Sequence, residues 1–169
     1  KKVVKYATDL PHTTVVEFDG EIFLSSSEYK KKEDMFYNYN LISKRQVLLF
    51  SFSNKSNFIT TIAVSPDYIA ALDNDIKAIQ LYNRRSQVVT TVKAPGLNRL
   101  YRLSFSPDGR SLLVTGQDSK WIRMFNKYQL STSEELKLIW SCDDCPDVLG
   151  LASVEGGLVY ANCFNNKKL

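Results

Sequence analysis

Apolar and polar residues take turns along most of this chain. Ile79 and Leu81 bracket Gln80, and Ile122 and Met124 bracket Arg123. A repeat of two places the apolar side chains on one face of a β-strand. The runs are short, and turn-forming residues separate them: Asp19-Gly20, Ser65-Pro66-Asp67, Ser106-Pro107-Asp108 and Glu155-Gly156-Gly157. Proline presets φ in such turns, and aspartate accepts hydrogen bonds from nearby backbone N–H groups. No segment shows convincing helical amphipathicity, and residues 133–138 have room for one short turn at most. The pattern predicts an all-β chain.

The strands recur. Ile62-Ala63-Val64-Ser65-Pro66-Asp67 is answered by Leu103-Ser104-Phe105-Ser106-Pro107-Asp108, with the prolines 41 positions apart. Tyr82-Asn83 is answered by Phe125-Asn126, 43 positions on, and an aspartate (Asp75, Asp118) precedes each asparagine by eight positions. A period of roughly 40–45 residues holding four short strands is that of a propeller blade. The second strands fall at 68–72 and 111–115, and the fourth at 87–92 and 136–140, with Gly116 to Asp118 read as a turn. Weaker copies flank this pair. Upstream, 13–18 and 21–25 read as two strands, Phe36-Tyr37-Asn38 as the end of a third and 46–52 as a fourth. Downstream, 149–154 and 158–163 read as a first and second strand. The blades so predicted cover 13–54, 58–95, 99–141 and, incomplete, 148–169. A β-sandwich also alternates short strands with turns. The recurrence at 41–43 residues favours a β-propeller of four-stranded antiparallel blades, about four blades or part-blades in all.

Phe105-Ser106-Pro107-Asp108-Gly109, then Gly116-Gln117-Asp118, then Phe125-Asn126, resembles a repeat of the WD-repeat family. The resemblance covers roughly 13–169 and identifies degenerate repeats. Phe125-Asn126 and Tyr82-Asn83 stand where the family has its Trp-Asp pair, no Gly-His dipeptide opens a unit, and the single histidine, His12, lies outside the repeats. The family's His-to-Asp hydrogen-bond network therefore cannot form. The resemblance implies a rigid, non-catalytic platform for protein partners, with the linkers between blades on the face that carries binding. Propellers close with about 4–8 blades. Four units therefore predict part of a larger propeller, with the ring completed by the rest of its own chain or, alternatively, by a partner.

Composition narrows the function. With 44% hydrophobic and 12% aromatic residues there is enough apolar material for a core. Lys and Arg number 22 against 18 Asp and Glu, a net charge of +4. That balance admits a nucleic-acid neighbour without demanding one, because such binding needs the charge gathered on one face. No run approaches the roughly 18 apolar residues of a membrane span, so no membrane insertion is expected. Three cysteines, Cys142, Cys145 and Cys163, do not read as a disulfide framework. They favour a reducing compartment, hence an intracellular protein, nuclear or cytoplasmic.

Candidate chemistry is sparse. Cys142-Asp143-Asp144-Cys145 offers two thiolates where structural zinc takes four ligands. Asp67, Asp73, Asp75, Asp108 and Asp118 fall at turns, and turn-making accounts for them. No phosphate-binding glycine loop, nucleophile elbow or histidine cluster is present. The expectation is no enzyme, no metal and no cofactor. Basic residues fall in loops: Lys30, Lys31 and Lys32 between a second and a third strand, and Arg84 and Arg85 after a third. Those two loop classes emerge on opposite faces, which argues against one continuous basic stripe. The candidate partner-binding residues are Arg84, Arg85, Asn98, Arg99, Tyr101 and Arg102. Lys30, Lys31 and Lys32, with Tyr29 and Tyr39 near them, are the candidates for RNA contact. The leading function is a protein–protein interaction scaffold, a subunit of a multiprotein complex. The alternative is an RNA-associated propeller in a ribonucleoprotein or ribosome-biogenesis assembly.

Overall fold

A computed structural model describes residues 12–28, 32–53, 61–120, 123–130, 136–142, 148–153 and 159–163. Among these residues every regular element is a strand. The first sheet holds β1 (His12–Phe18), β2 (Glu21–Glu28), β3 (Glu33–Asn40) and β4 (Arg45–Ser53). The second holds β5 (Ile62–Val64), β6 (Tyr68–Asp73), β7 (Ala78–Asn83) and β8 (Val89–Lys93). The third holds β9 (Arg99–Phe105), β10 (Ser111–Gln117), β11 (Arg123–Gln129) and β12 (Lys137–Cys142). A fourth sheet pairs β13 (Val148–Ser153) with β14 (Val159–Cys163).

Strands pair in chain order, and every pairing is antiparallel. β5 lies beside both β1 and β9, and β13 lies beside β9. The first strands of successive sheets are thus neighbours, and the fourth strands lie outermost. This is the blade arrangement of a propeller, in which sheet packs on sheet around an axis. It also defines two ends. The hairpin end carries the turns between first and second strands and between third and fourth. The linker end carries the turns between second and third strands and the connections from blade to blade.

Burial follows the strand period. In β6, Ile69 and Ala71 join Ile62, Val64 and Tyr82 against Phe23, Phe36 and Phe50 of the first blade. The alternate residues Ala70 and Leu72 join Ile79, Leu81 and Val92 against Leu100, Leu103, Leu112, Val114 and Tyr128 of the third. A middle blade has a neighbour on each face, so β6 is buried beyond its first residue and β10 along its whole length.

The Ser-Pro-Asp recurrence has a local cause. Ser65 Oγ accepts from Tyr68 N at 3.1 Å, and Ser106 Oγ accepts from Ser111 N at 2.9 Å. Each serine closes the turn that ends its first strand. The third blade's turn is two residues longer and places Gly109 at φ 68°. Asn40 Oδ1 accepts from Ile42 N and Ser43 N at 3.0 and 2.8 Å. Asn83 Oδ1 does the same with Arg85 N and Ser86 N at 2.9 and 3.0 Å.

That match corrects the alignment of the third strands. Tyr68 pairs with Asn83, Ser111 with Gln129, and Ile22 with Tyr39. The counterparts of Tyr82-Asn83 are therefore Tyr39-Asn40 and Tyr128-Gln129. They are not Phe36-Tyr37-Asn38 or Phe125-Asn126, which lie inside β3 and β11. The third strands differ in length, six residues in β7, seven in β11 and eight in β3, so counting along the chain misplaces the strand's end. His12, expected outside the repeats, opens β1.

Gly116 is no turn residue either: β10 runs through it to Gln117. The pairing to β9 shifts between Thr115 and Gly116, and a Cβ on Gly116 would lie 2.2 Å from the Arg99 carbonyl oxygen. A glycine there lets the two backbones meet.

Candidate interaction surface

Arg84 follows β7 at the hairpin end. Its NH1 donates to the Ser65 and Pro66 carbonyls at 3.1 and 3.2 Å, and its NH2 pairs with Glu21 of the first blade. Its guanidinium carbon lies 5.2 Å from the Phe23 ring centre and 5.9 Å from that of Phe18. Planar, weakly hydrated and rich in donors, the group suits a seam between aromatic rings and carbonyls. Arg85 points outward, its side chain 85% exposed, with an ion pair to Asp67 at 2.9 Å.

The linker end gathers the other four partner-binding candidates. Asn98 N donates to the Gln117 carbonyl at 2.6 Å, which anchors the connection from β8 to β9 against β10. Asn98 Oδ1 accepts from Lys77 Nζ at 2.9 Å. Arg99 is exposed and pairs with Gln117 in the ladder. Tyr101 OH donates to Gln117 Oε1 at 2.5 Å, and its carbonyl accepts from Thr61 Oγ1 at 3.2 Å. Arg102 is exposed, and its NH1 donates to Thr61 Oγ1 and the Tyr101 carbonyl, each at 3.2 Å. Asn98, Arg99, Tyr101 and Arg102 thus share one hydrogen-bonded neighbourhood, while Arg84 and Arg85 sit at the opposite end.

Lys32 is exposed in the turn before β3, at the linker end, with φ 54°, whereas Lys30 and Lys31 lie outside the described residues. Cys142 ends β12 and Cys163 ends β14; Cys145 lies outside the described residues. The aspartates serve their turns. Asp108 Oδ1 accepts from Arg110 N at 3.0 Å, and Asp118 Oδ1 from Lys120 N at 2.8 Å. Asp73 is buried and accepts from Gln80 Nε2 at 2.9 Å. Among the described residues no group of His, Cys, Asp and Glu could hold a metal ion. No helix there is long and apolar enough to cross a membrane.

Two participants escaped sequence reasoning. Thr61 precedes β5, and Lys77 ends the turn between β6 and β7 at φ 55°. The Asn74-Asp75 pair signals that turn, but nothing local signals that Lys77 reaches Asn98, 21 residues on.

A buried polar chain lies beneath the surface. Asn126 Nδ2 donates to Tyr128 OH at 2.7 Å, and Tyr128 OH donates to the Pro95 carbonyl at 2.6 Å. Burial pushes the Tyr128 hydroxyl up to about 12, partly opposed by its hydrogen bond to Asn126.

No protein-family model and no curated protein matches this chain. Solved structures do. A structure described as that of U3-55K superposes with a TM-score of 0.60 at 16% identity, over 88% of this chain and 43% of that one. The crystal structure of the RRP9 WD40 repeats matches with a TM-score of 0.60 at 16% identity, over 88% and 42%. The WD40 domain of Toxoplasma gondii coronin matches with a TM-score of 0.57 at 13% identity, over 86% and 37%. The chain spans less than half the length of each of these structures. Successive antiparallel four-stranded blades, neighbouring first strands and these superpositions agree that the chain has the WD-repeat β-propeller fold, built on degenerate repeats.

Proposed function

We infer that this chain is a non-catalytic interaction scaffold that works as a subunit of an intracellular multiprotein complex, with the linker end as its contact surface. One observation carries the reading: Lys77, Asn98, Arg99, Tyr101 and Arg102 converge at that end. Blade faces are consumed in packing against other blades, so the two ends and the outer strands remain for partners. Arg84 holds two blades together, which moves the emphasis to the linker-end residues. Arginine and tyrosine are common anchors of protein interfaces.

RNA contact is the second reading. Lys32, Lys77 and Lys120 occupy the turns between second and third strands of three blades, at the same end as Arg99. Affinity purification of the intact protein, with and without nuclease, separates the two. Partners retained after nuclease, with cross-links mapping to 98–102, support the scaffold. Partners lost after nuclease support RNA, and a retained set with no cross-links at the linker end overturns the proposed surface.

A further inference from the structure

Ten large apolar side chains are exposed among the described residues, and all but Val15 and Ile76 lie in a fourth strand or in the turn before it. The three fourth strands, 45–53, 89–93 and 137–142, and the turns before the first two, 41–44 and 84–88, contain no Asp or Glu. The same segments contain Lys44, Arg45, Arg84, Arg85, Lys93 and Lys137. The outer rim of the blades is therefore apolar and cationic. Among the described residues each fourth strand also ends its sheet, paired on one side only. Such an edge presents unpaired N–H and C=O groups to a further strand.

The first blade has the most extended of these edges. β4 has nine residues, against five in β8 and six in β12. Val47 and Leu48 are 59% and 53% exposed. Val47 pairs with Asn38 and Leu48 with Tyr37, so the two turn to opposite faces of the sheet. A strand added beside them meets an apolar residue on each face. Lys44 and Arg45 stand exposed at the start of β4, with no carboxylate partner among the described residues.

The geometry points to the outer edge of β4 as the site where an extended segment of a partner protein, alternating apolar and acidic residues, adds as a fifth strand of the first blade. This second surface goes beyond the scaffold reading and does not depend on the linker end. Three arguments choose the occupant. Backbone groups along an edge need hydrogen-bonding partners, which the core of a bilayer lacks. Aliphatic side chains give bases no aromatic plane to stack on, which disfavours RNA. With no Asp or Glu in 41–53, the charge of Lys44 and Arg45 is left for acidic side chains of the partner.

The test uses the intact protein and a fluorescent ten-residue peptide alternating Val and Glu. A Val-Lys counterpart, a ten-nucleotide oligo(U) and vesicles of phosphatidylserine and phosphatidylcholine represent the other occupants. The Val-Glu peptide should bind, less tightly as salt rises, and amide hydrogen exchange should slow within 45–53. Val47→Glu should weaken binding about tenfold. Val15→Glu makes the same change at a residue equally exposed, 59%, on β1, and should leave binding unchanged. A melting curve for each variant separates loss of binding from loss of fold. Four results overturn the proposal: no binding of the Val-Glu peptide, equal weakening by the two variants, exchange protection outside 45–53, or tighter binding of any of the other three probes. If the peptide fails while cross-linked protein partners still map to 98–102, the edge inference falls and the scaffold reading stands. If the peptide protects 45–53 while no partner maps to 98–102, the linker-end surface falls and the edge stands.

Discussion

The two seams between the three full blades solve one packing problem with different chemistry. Between the first and second blades the filling is aromatic. Phe36 stacks on Phe50 at 4.4 Å and on Phe52 at 5.3 Å, Phe50 stacks on Tyr82 at 5.2 Å, and Arg84 lies over Phe23 and Phe18 at the hairpin end. Between the second and third blades it is mainly aliphatic, with Leu72, Ile79, Val92, Leu100, Leu112 and Val114, and the buried rings are Phe105 and Tyr128, the latter tied through its hydroxyl to the connection between the blades. Rings tolerate a charged lid because a guanidinium can lie over them. An aliphatic seam offers no such partner, so its polar group must find a backbone carbonyl. A propeller thus requires alternation and filled volume at each seam and leaves the residue types free, which is how repeats diverge while the fold persists.

The comparison breaks most visibly where volume is removed. Phe36→Ala should cost about 3–5 kcal/mol and Leu112→Ala about 2–5 kcal/mol in denaturant unfolding. A loss below about 1 kcal/mol at either position would mean that the seam collapses around the gap and is not closely packed.

Adding volume is the next test. Gly116→Ala places a Cβ against the Arg99 carbonyl, and the two strands must part. The expected loss is about 1–3 kcal/mol, accompanied by weaker partner binding, because the same shift moves Arg99 and Asn98.

Charge distinguishes the seams more gently. Arg84→Ala should cost about 1–3 kcal/mol, since two carbonyls and Glu21 lose their donor. Arg85→Ala should cost less than about 0.5 kcal/mol, because its ion pair is exposed. Equal effects of the two would deny Arg84 its role between the blades.

Tyr128→Phe should cost about 1–3 kcal/mol, because Asn126 Nδ2 and the Pro95 carbonyl both lose their partner. It also carries a pH signature. The folded hydroxyl ionises near 12 and an unfolded one near its ordinary value of about 10. The folded state therefore holds the proton more tightly. That stabilisation is complete below about pH 10 and is lost as pH rises toward about 12. The Phe variant should lack this component of the alkaline decline, measured as the difference between the two unfolding free energies across that range.

How much was legible follows from the range of each interaction. The serine-closed turns at Ser65 and Ser106 were readable, because donor and acceptor lie within five residues. The third strand ends beyond Asn38 and Asn126, because third strands differ in length between blades and only the ladder reveals the offset. Gly116 read as a turn because the carbonyl that requires a glycine belongs to Arg99, 17 residues earlier. Of the candidate surface, Asn98, Arg99, Tyr101 and Arg102 were named together because they share one linker. Lys77 and Thr61 were missed because they reach it from elsewhere in the chain.

By itself the sequence determined the strand period, the turn chemistry and the recurrence near 41 residues, and through them the propeller class. These depend on contacts within a blade, where side-chain spacing and turn geometry act over a few residues. The tertiary structure alone decided that Arg84 is a lid between blades, that Arg85 stands in solvent beside Asp67, and that Lys77 and Arg102 bond neutral oxygens. Charge pairing depends on which strands become neighbours, and that is set when blade packs on blade.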